Sequence, residues 1–543
     1  MGPSALGPSA LGPSSRGLLA VAAAVLTLAV ATRAPVIAES FWVDELHSAW
    51  TVSGTLGEVR QRAAQGNQTP LYYWGLWCWR QGVGEGELAM RMSSVIASAL
   101  ACAVVTIGVA KLGGGVLGGA AAGVFLAIES NSIFFGTELR VFAVVMLLAA
   151  IVCWSWSEVR IGNGRVAGPV MMLAIWLAAL IQPMSLGVLL WPVIGEGTKR
   201  ALKLSRERRA RIAPRAALLG LAAALLLGWF AWDLAGRVWW VAWQHRDQWQ
   251  AVGAVRSGQQ LLRIWPWGWI LVAPVIAAWA CERLIGQRKM PPAATAVDAG
   301  DGVVCFGTSR GGVRLWGPPA AVAVGATLFY WSVSASGLAA IFHRRYLIAA
   351  LPLLAWAGGA AVGQVGFSLA KLWRLGDGDV AERRFSTAVI GGLWAWALVA
   401  VLPLLQHGIP LSARLRGEDW RGVAAHLRAS SEPDAVIWLS PGLIETERCL
   451  ASGRPEDLAY LAYPLRGPYR LEGVEVISLR PAGIAAPLRQ SLTSGEAWYA
   501  VVRVPRLFAE KWGAFVVEQA KPRTLQFEFA EFGGVQVLRF APR

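Results

Sequence analysis

Long apolar runs dominate this chain and leave it few folds to choose from. Stretches apolar enough to cross a bilayer read at about 17–35, 89–110, 115–130, 138–157, 167–181, 183–197, 216–234, 263–281, 317–334, 346–365 and 387–406. No water reaches the hydrocarbon core, so each run must satisfy its own backbone groups, and a helix does so within one segment. With 55% hydrophobic residues, 15% charged residues and 29 tryptophans in 543 positions, the composition excludes a soluble enzyme. The expected fold is an α-helical polytopic membrane protein of about 11 transmembrane helices.

A net charge of +16 invites a nucleic-acid reading, but its distribution argues against one. KRALKLSRERRARIAPR, 199–215, carries eight basic residues and one Glu, and the loop at 282–315 adds five more basic residues. Both read as cytoplasmic by the positive-inside rule. Counting spans from there places loop 36–88, with three Arg and six acids, on the outer face. The segment 407–543 falls on the outer face as well. The GPS-rich repeat MGPSALGPSALGPSSR, 1–16, reads as a disordered cytoplasmic tail, and 17–406 as the transmembrane domain. In 407–543 the strand-like runs AVIWLS, GVEVISL, AWYAVVRV, LQFEFAEF and GVQVLRF alternate with helical segments, which predicts an extracytoplasmic α/β domain.

SFWVDELHSAW, 40–50, puts Asp44 and Glu45 among aromatic residues just past the first span. Solvated loop acids are the ordinary reading of such a pair. Further charges fall on the same predicted face. Glu87 and Arg91 stand at i, i+4 entering the second span, Glu138 and Arg140 lie in FFGTELRVF, and Arg344, Arg345 and Tyr346 lie in FHRRYLIAALP. Charges clustered at one membrane interface point to a polar cavity.

In order along the chain stand the D-E pair, the P-L-Y-Y of Pro70–Tyr73, the E-x-x-x-R of Glu87–Arg91, T-E-L-R-V-F, and R-Y followed by L-P. This set resembles the GT-C membrane glycosyltransferases of the protein O-mannosyltransferase and aminoarabinose-transferase type (glycosyltransferase family 39-like). GEDWRGVAAHLRASSEPDAVIWL, 417–439, is similar to the junction that opens the outer domain of bacterial members. The resemblance implies a bundle with a reactive cavity on the outer face, in a bacterial inner membrane, and transfer of a sugar from a polyprenyl-phosphate donor to a lipid, glycan or protein acceptor. It makes Asp44 the catalytic carboxylate, Glu45 its supporting neighbour and Glu138 a second acid. Arg140, Arg345 and Tyr346 would bind the donor phosphate, and His47, Pro70, Tyr72 and Arg91 would line the cavity. Family members often carry His-Pro-Pro where this chain has Gln68, Thr69 and Pro70, and Tyr where it has Phe142, departures that bear on specificity.

The chemistry suits these residue types. A lipid phosphate is already a good leaving group, so one base that deprotonates the acceptor suffices, and attack opposite the phosphate inverts the anomeric carbon. Arginine clamps phosphate oxygens in a bidentate fork. A transporter or flippase is the competing class, but it would place ionisable groups near the midplane, often in inverted repeats, and the sequence has neither pattern.

Smaller signals carry less. His47, His245, His343, His407 and His426 all fall on the outer side, and solvated or hydrogen-bonded histidine outweighs metal ligation by about three to one. No metal ligand is assigned, and a divalent ion stays open as a cofactor. The six cysteines form no CxxC pair, and only Cys78 and Cys449 fall outside the membrane on the outer face, where one disulfide has room to form. WWVAWQHRDQW, 239–249, reads as an interfacial anchor, and GGGVLGGAAAG, 113–123, as a helix-packing surface. The topology makes a first prediction. Alkaline phosphatase fused to the C-terminus is expected to be active, and an active cytoplasm-only reporter at the same position would reverse the placement of Asp44.

Overall fold

The computed structural model describes residues 13–160, 162–195, 225–244, 246–249, 253–255, 257–265, 271, 274–280, 313–374, 416–431, 435–478, 498–519 and 525–542. The basic loop 199–215, most of 282–315, the expected span 387–406, residues 1–12, His245, His407, Cys281 and Cys305 lie outside these residues. The expected spans 216–234 and 263–281 are described in part.

The helices run in order α1 (Pro13–Arg33), α2 (Val43–Val52), α3 (Val59–Gln65), α4 (Pro70–Val83), α5 (Glu87–Val109), α6 (Gly115–Ile128), α7 (Ser130–Thr137), α8 (Phe142–Arg160) and α9 (Gly164–Ile181). Then follow α10 (Val313–Ala335), α11 (Ala350–Arg374), α12 (Trp420–Ser430), α13 (Thr446–Ser452), α14 (Pro455–Arg466) and α15 (Arg506–Gln519). The strands are β1 (Val436–Ser440), β2 (Glu475–Ser478), β3 (Trp498–Val502), β4 (Leu525–Phe532) and β5 (Val535–Pro542). The chain divides into two compact units. Residues 1–35, 94–233 and 245–411 make the first, and residues 36–93, 234–244 and 412–543 the second.

The first unit is helical and belongs to an integral membrane protein. Among the described residues, four segments are long and apolar enough to cross a bilayer: Arg16–Val36, Glu87–Ile128, Phe142–Arg160 and Gly164–Ile181. The 42 residues of Glu87–Ile128 would extend about 60 Å as one helix, twice the hydrocarbon thickness. Gly113 at φ 109° and Gly115 at φ 60° break it, in backbone conformations that side chains avoid. The chain doubles back so tightly that a Cβ on Gly119 or Gly123 would collide with Thr106 of α5. The expected span at 183–197 is interrupted. A 3-10 turn at Pro183–Ser185 and a short helix at Leu186–Leu189 replace its first half, and Pro192 removes the donor that would continue that helix.

GGGVLGGAAAG does serve packing. A Cβ on Gly359 would overlap Ala122 and the Gly118 carbonyl, and one on Gly363 would overlap the Gly114 carbonyl. Gly359 and Gly363, four residues apart on α11, therefore let its backbone lie directly on α6. Apolar side chains gain little from leaving lipid for another helix, so this backbone approach supplies the van der Waals contact.

In the second unit the strands form one sheet in the order β2-β1-β3-β5-β4. The pairs β1–β2 and β1–β3 are parallel, whereas β3–β5 and β4–β5 are antiparallel. Central β3 is buried at all five residues, as befits a strand covered on both faces. Trp498, Ala500 and Val502 pack with Ala509, Trp512 and Val516 of α15. The hairpin β4–β5 turns through Gly533 at φ 66°.

Gly363→Ala is expected to cost about 1–3 kcal/mol through overpacking, measured as unfolding in mixed micelles. Gly325→Ala, at a position with open space around it, should leave stability unchanged. Equal stability of the two variants would refute the close α6–α11 contact.

Candidate functional site

SFWVDELHSAW folds as an extended entry followed by α2, with Asp44 and Glu45 in the first turn, where acidic side chains suit the positive end of the helix. The two acids have opposite environments. Glu45 is wholly buried. Arg91 of α5 donates its Nε–H to Glu45 Oε1 at 2.9 Å and a second N–H to Oε2, and Arg416 Nε stands 3.5 Å from Oε1. The other Arg91 donors go to the carbonyls of Ile37 at 2.9 Å, Glu39, and Ser40 at 3.0 Å. Arg416 also reaches Glu39 at 3.3 Å. The rigid guanidinium fork thus ties the entry segment and α2 to α5. Asp44 remains partly exposed, the one residue between Val43 and Val52 that is not buried.

The C-terminal segment closes around this entry. Tyr469 Oη accepts the Phe41 N–H at 2.6 Å and donates to Glu87 Oε1 at 2.9 Å. Burial, reinforced by the Glu87 charge, pushes the Tyr469 hydroxyl far above the usual phenol range and keeps it a donor. Arg421 donates to Glu87 at 2.7 Å and to the Ala38 carbonyl at 3.1 Å. Glu87 and Arg91, neighbours by helical spacing, accordingly take different partners. Glu418 accepts from Val43 N–H, from Trp420 Nε1 and from Arg503 Nε.

The remaining cavity candidates of this unit gather in aromatic packing. Pro70 opens α4 as its first residue, and both it and Tyr72 are buried. The rings of Tyr72 and Tyr73 meet edge-on at 5.1 Å, and His47 packs edge-on against Tyr73 at 5.9 Å and Tyr460 at 5.6 Å. His47 also fills the space where a Gly66 side chain would stand. Arg91, expected on the cavity wall, has its side chain fully buried against Glu45. Trp50 Nε1 donates to Gln65, whose amide donates to Asp457 at 3.0 Å. Cys78 is exposed and Cys449 buried, both as free thiols, in line with a pairing that the sequence allows but does not support. Burial raises the Cys449 thiol to about 11.

Glu138, Arg140, Arg345 and Tyr346 belong to the first unit. The expected span at 138–157 starts as a helix only at Phe142, since Glu138 is the extended C-cap of α7. Glu138 and Arg140 are buried there. Arg345 stacks over Tyr346 at 5.6 Å and its backbone N–H reaches His343 Nδ1 at 3.2 Å. Its neighbour Arg344 donates to Asn131 Oδ1 at 3.3 Å and lies 4.4 Å over the Phe134 ring. Glu129 caps α7 through the Ser132 N–H at 2.7 Å. Buried Arg33 donates to the Ala29 and Ala127 carbonyls and to Ser132 Oγ. Sequence reasoning passed over Arg33 and Glu129, although a charge closing an apolar run is a signal for both. Among the described residues no three His, Cys, Asp or Glu side chains gather to hold a metal ion.

No family model and no curated protein matches the chain. Solved structures of ArnT are similar to it. The structure of ArnT from Cupriavidus metallidurans bound to undecaprenyl phosphate is 12% identical, with 97% of this chain and 98% of that chain covered and a TM-score of 0.49. The apo state of the same protein gives the same identity and coverage with a TM-score of 0.48. ArnT is an aminoarabinose transferase of the GT-C family.

The Glu45–Arg91 pair makes a prediction of its own. Arg91→Met should destabilise by about 3–5 kcal/mol, because a buried carboxylate loses its main partner. In the double variant with Glu45→Gln the cost should fall at least about 1 kcal/mol below the sum of the two single changes. Strict additivity in a double-mutant cycle would show that the two side chains do not act as a pair.

Proposed function

We propose that this protein is a glycosyltransferase that moves a sugar from a polyprenyl-phosphate donor to an acceptor on the outer face of the membrane, with inversion at the anomeric carbon. The observation that carries the reading is the division of labour between two adjacent acids. Glu45 is sealed against Arg91 and Arg416, while Asp44 stays partly exposed. Successive helix residues point about 100° apart, so one acid can anchor the helix while the other meets substrate.

In this reading Asp44 takes the proton from the acceptor O–H or N–H as the acceptor atom bonds to the anomeric carbon. The bond from that carbon to the phosphate oxygen breaks, and polyprenyl phosphate leaves as the anion. Arg345 and Arg140 hold the phosphate, with Tyr346 beside Arg345, and Glu138 serves as the second acid of the cavity. His47, Pro70 and Tyr72 shape the surroundings of α2 by aromatic packing. A lipid-linked donor also answers the lack of nucleotide sugars outside the cytoplasm. In this reading the acceptor is a lipid, glycan or protein, and the membrane a bacterial inner membrane.

The test is sugar transfer by the purified protein with radiolabelled polyprenyl-phosphate sugars and membrane extract. Asp44→Asn should lose at least roughly a hundredfold in single-turnover rate, the weight of a general base, and Glu45→Gln should lose less. Near-normal transfer by Asp44→Asn would move the base elsewhere, with Glu138 next in line.

A further inference from the structure

Helix α2 begins without a side-chain cap from its N-cap residue, although Glu45 Oε2 accepts the Trp42 N–H at 3.4 Å. The N-cap position usually carries Ser, Thr, Asp or Asn, whose oxygen accepts a backbone N–H of the first turn. Here it is Trp42, whose indole can only donate and makes no capping bond. The acceptor comes from far along the chain. Glu418 Oε2 takes the Val43 N–H at 2.9 Å, and Val43 is the first residue of α2, immediately before Asp44.

Glu418 is itself held firmly. Trp420 Nε1 donates to Oε2 at 2.9 Å and Arg503 Nε to Oε1 at 2.6 Å. Its side chain is 5% exposed. Its backbone forms an isolated bridge with Gly533 in the β4–β5 turn, and the next residue, Asp419, donates its N–H to the Phe532 carbonyl at 3.2 Å. A carboxylate at this end also meets the positive pole of the helix.

We propose that Glu418 is a positioning residue for the reaction: it caps α2 from the C-terminal segment and so sets the direction of the Asp44 carboxylate. The inference rests on the glycosyltransferase reading given above. The sheet that carries Arg503 and Gly533 becomes part of the catalytic apparatus through this one carboxylate, since its support of Glu418 passes to the first turn of α2.

The experiment uses the full chain in lipid nanodiscs with the sugar donor that wild type accepts. Glu418→Ala should speed hydrogen exchange in the first turn of α2 by roughly five- to tenfold, the weight of one cap. It should lower kcat by roughly tenfold or more through misorientation, with the donor KM within about twofold of wild type. Trp42→Ser, whose hydroxyl would accept the N–H of Asp44 or Glu45 rather than that of Val43, strengthens the same helix end and should recover part of both losses in the Glu418→Ala background. Should Glu418→Ala fail to fold, Glu418→Gln keeps an acceptor for the Val43 amide and, by retaining near-normal exchange, tests the same bond. Unchanged exchange in Glu418→Ala, or a loss that Trp42→Ser does not repair and that falls on KM, would overturn the proposal. If wild type transfers no sugar at all, the functional reading fails while the exchange comparison still decides the cap.

Discussion

A carboxylate removed from water must find donors for both its oxygens, and Glu45 meets that demand with two arginines. Arg91 and Arg416 face Glu45 and Glu39, so two positive and two negative groups balance one another in a cluster that is exposed only at Glu39. The spare donors of Arg91 consume carbonyls of the entry segment, which leaves that segment little freedom to shift. The placement of Asp44 follows from this anchoring. A single methylene stem and a position one residue before the anchor let it stay at the surface while its neighbour is sealed.

The membrane helices are held by a different physics. In lipid an apolar side chain has little to gain from a neighbouring helix, and small residues that let backbones touch take over that task. Gly113 and Gly115 permit the reversal between α5 and α6, and Gly359 and Gly363 seat α11 on α6. Buried polar groups add to this. Arg33 spends its donors on carbonyls of α1 and of the α6 end and on Ser132, and Ser94 Oγ donates to the Glu138 carbonyl at 2.6 Å. Each is a hydrogen bond that water would otherwise have to supply.

Much of this was legible in the order of residues. Hydropathy located α1, α5, α6, α8 and α9 to within a few residues, because the length of an apolar run reports directly on bilayer thickness. Alternation and β-branched content located all five strands. The small-residue run 113–123 announced close helix packing, and acids among aromatic residues announced the segment around Asp44. The interruption of the expected span at 183–197 corrected an expectation drawn from local composition alone.

The sequence by itself determined which segments are long and apolar enough for lipid, which form the described strands and where ionisable residues gather, since each depends on neighbours within one or two helical turns. Only the tertiary structure decided how those residues divide their work. Nothing near position 44 reveals that Glu45 is sealed by Arg91 and Arg416, that Tyr469 holds the Phe41 amide, or that Glu418 supplies the cap Trp42 lacks. These bonds join residues up to several hundred positions apart. A hydrogen bond depends on distance and angle in space, and a long loop is closed at an entropic cost that grows only slowly with its length, so separation along the chain carries almost no information about such partners.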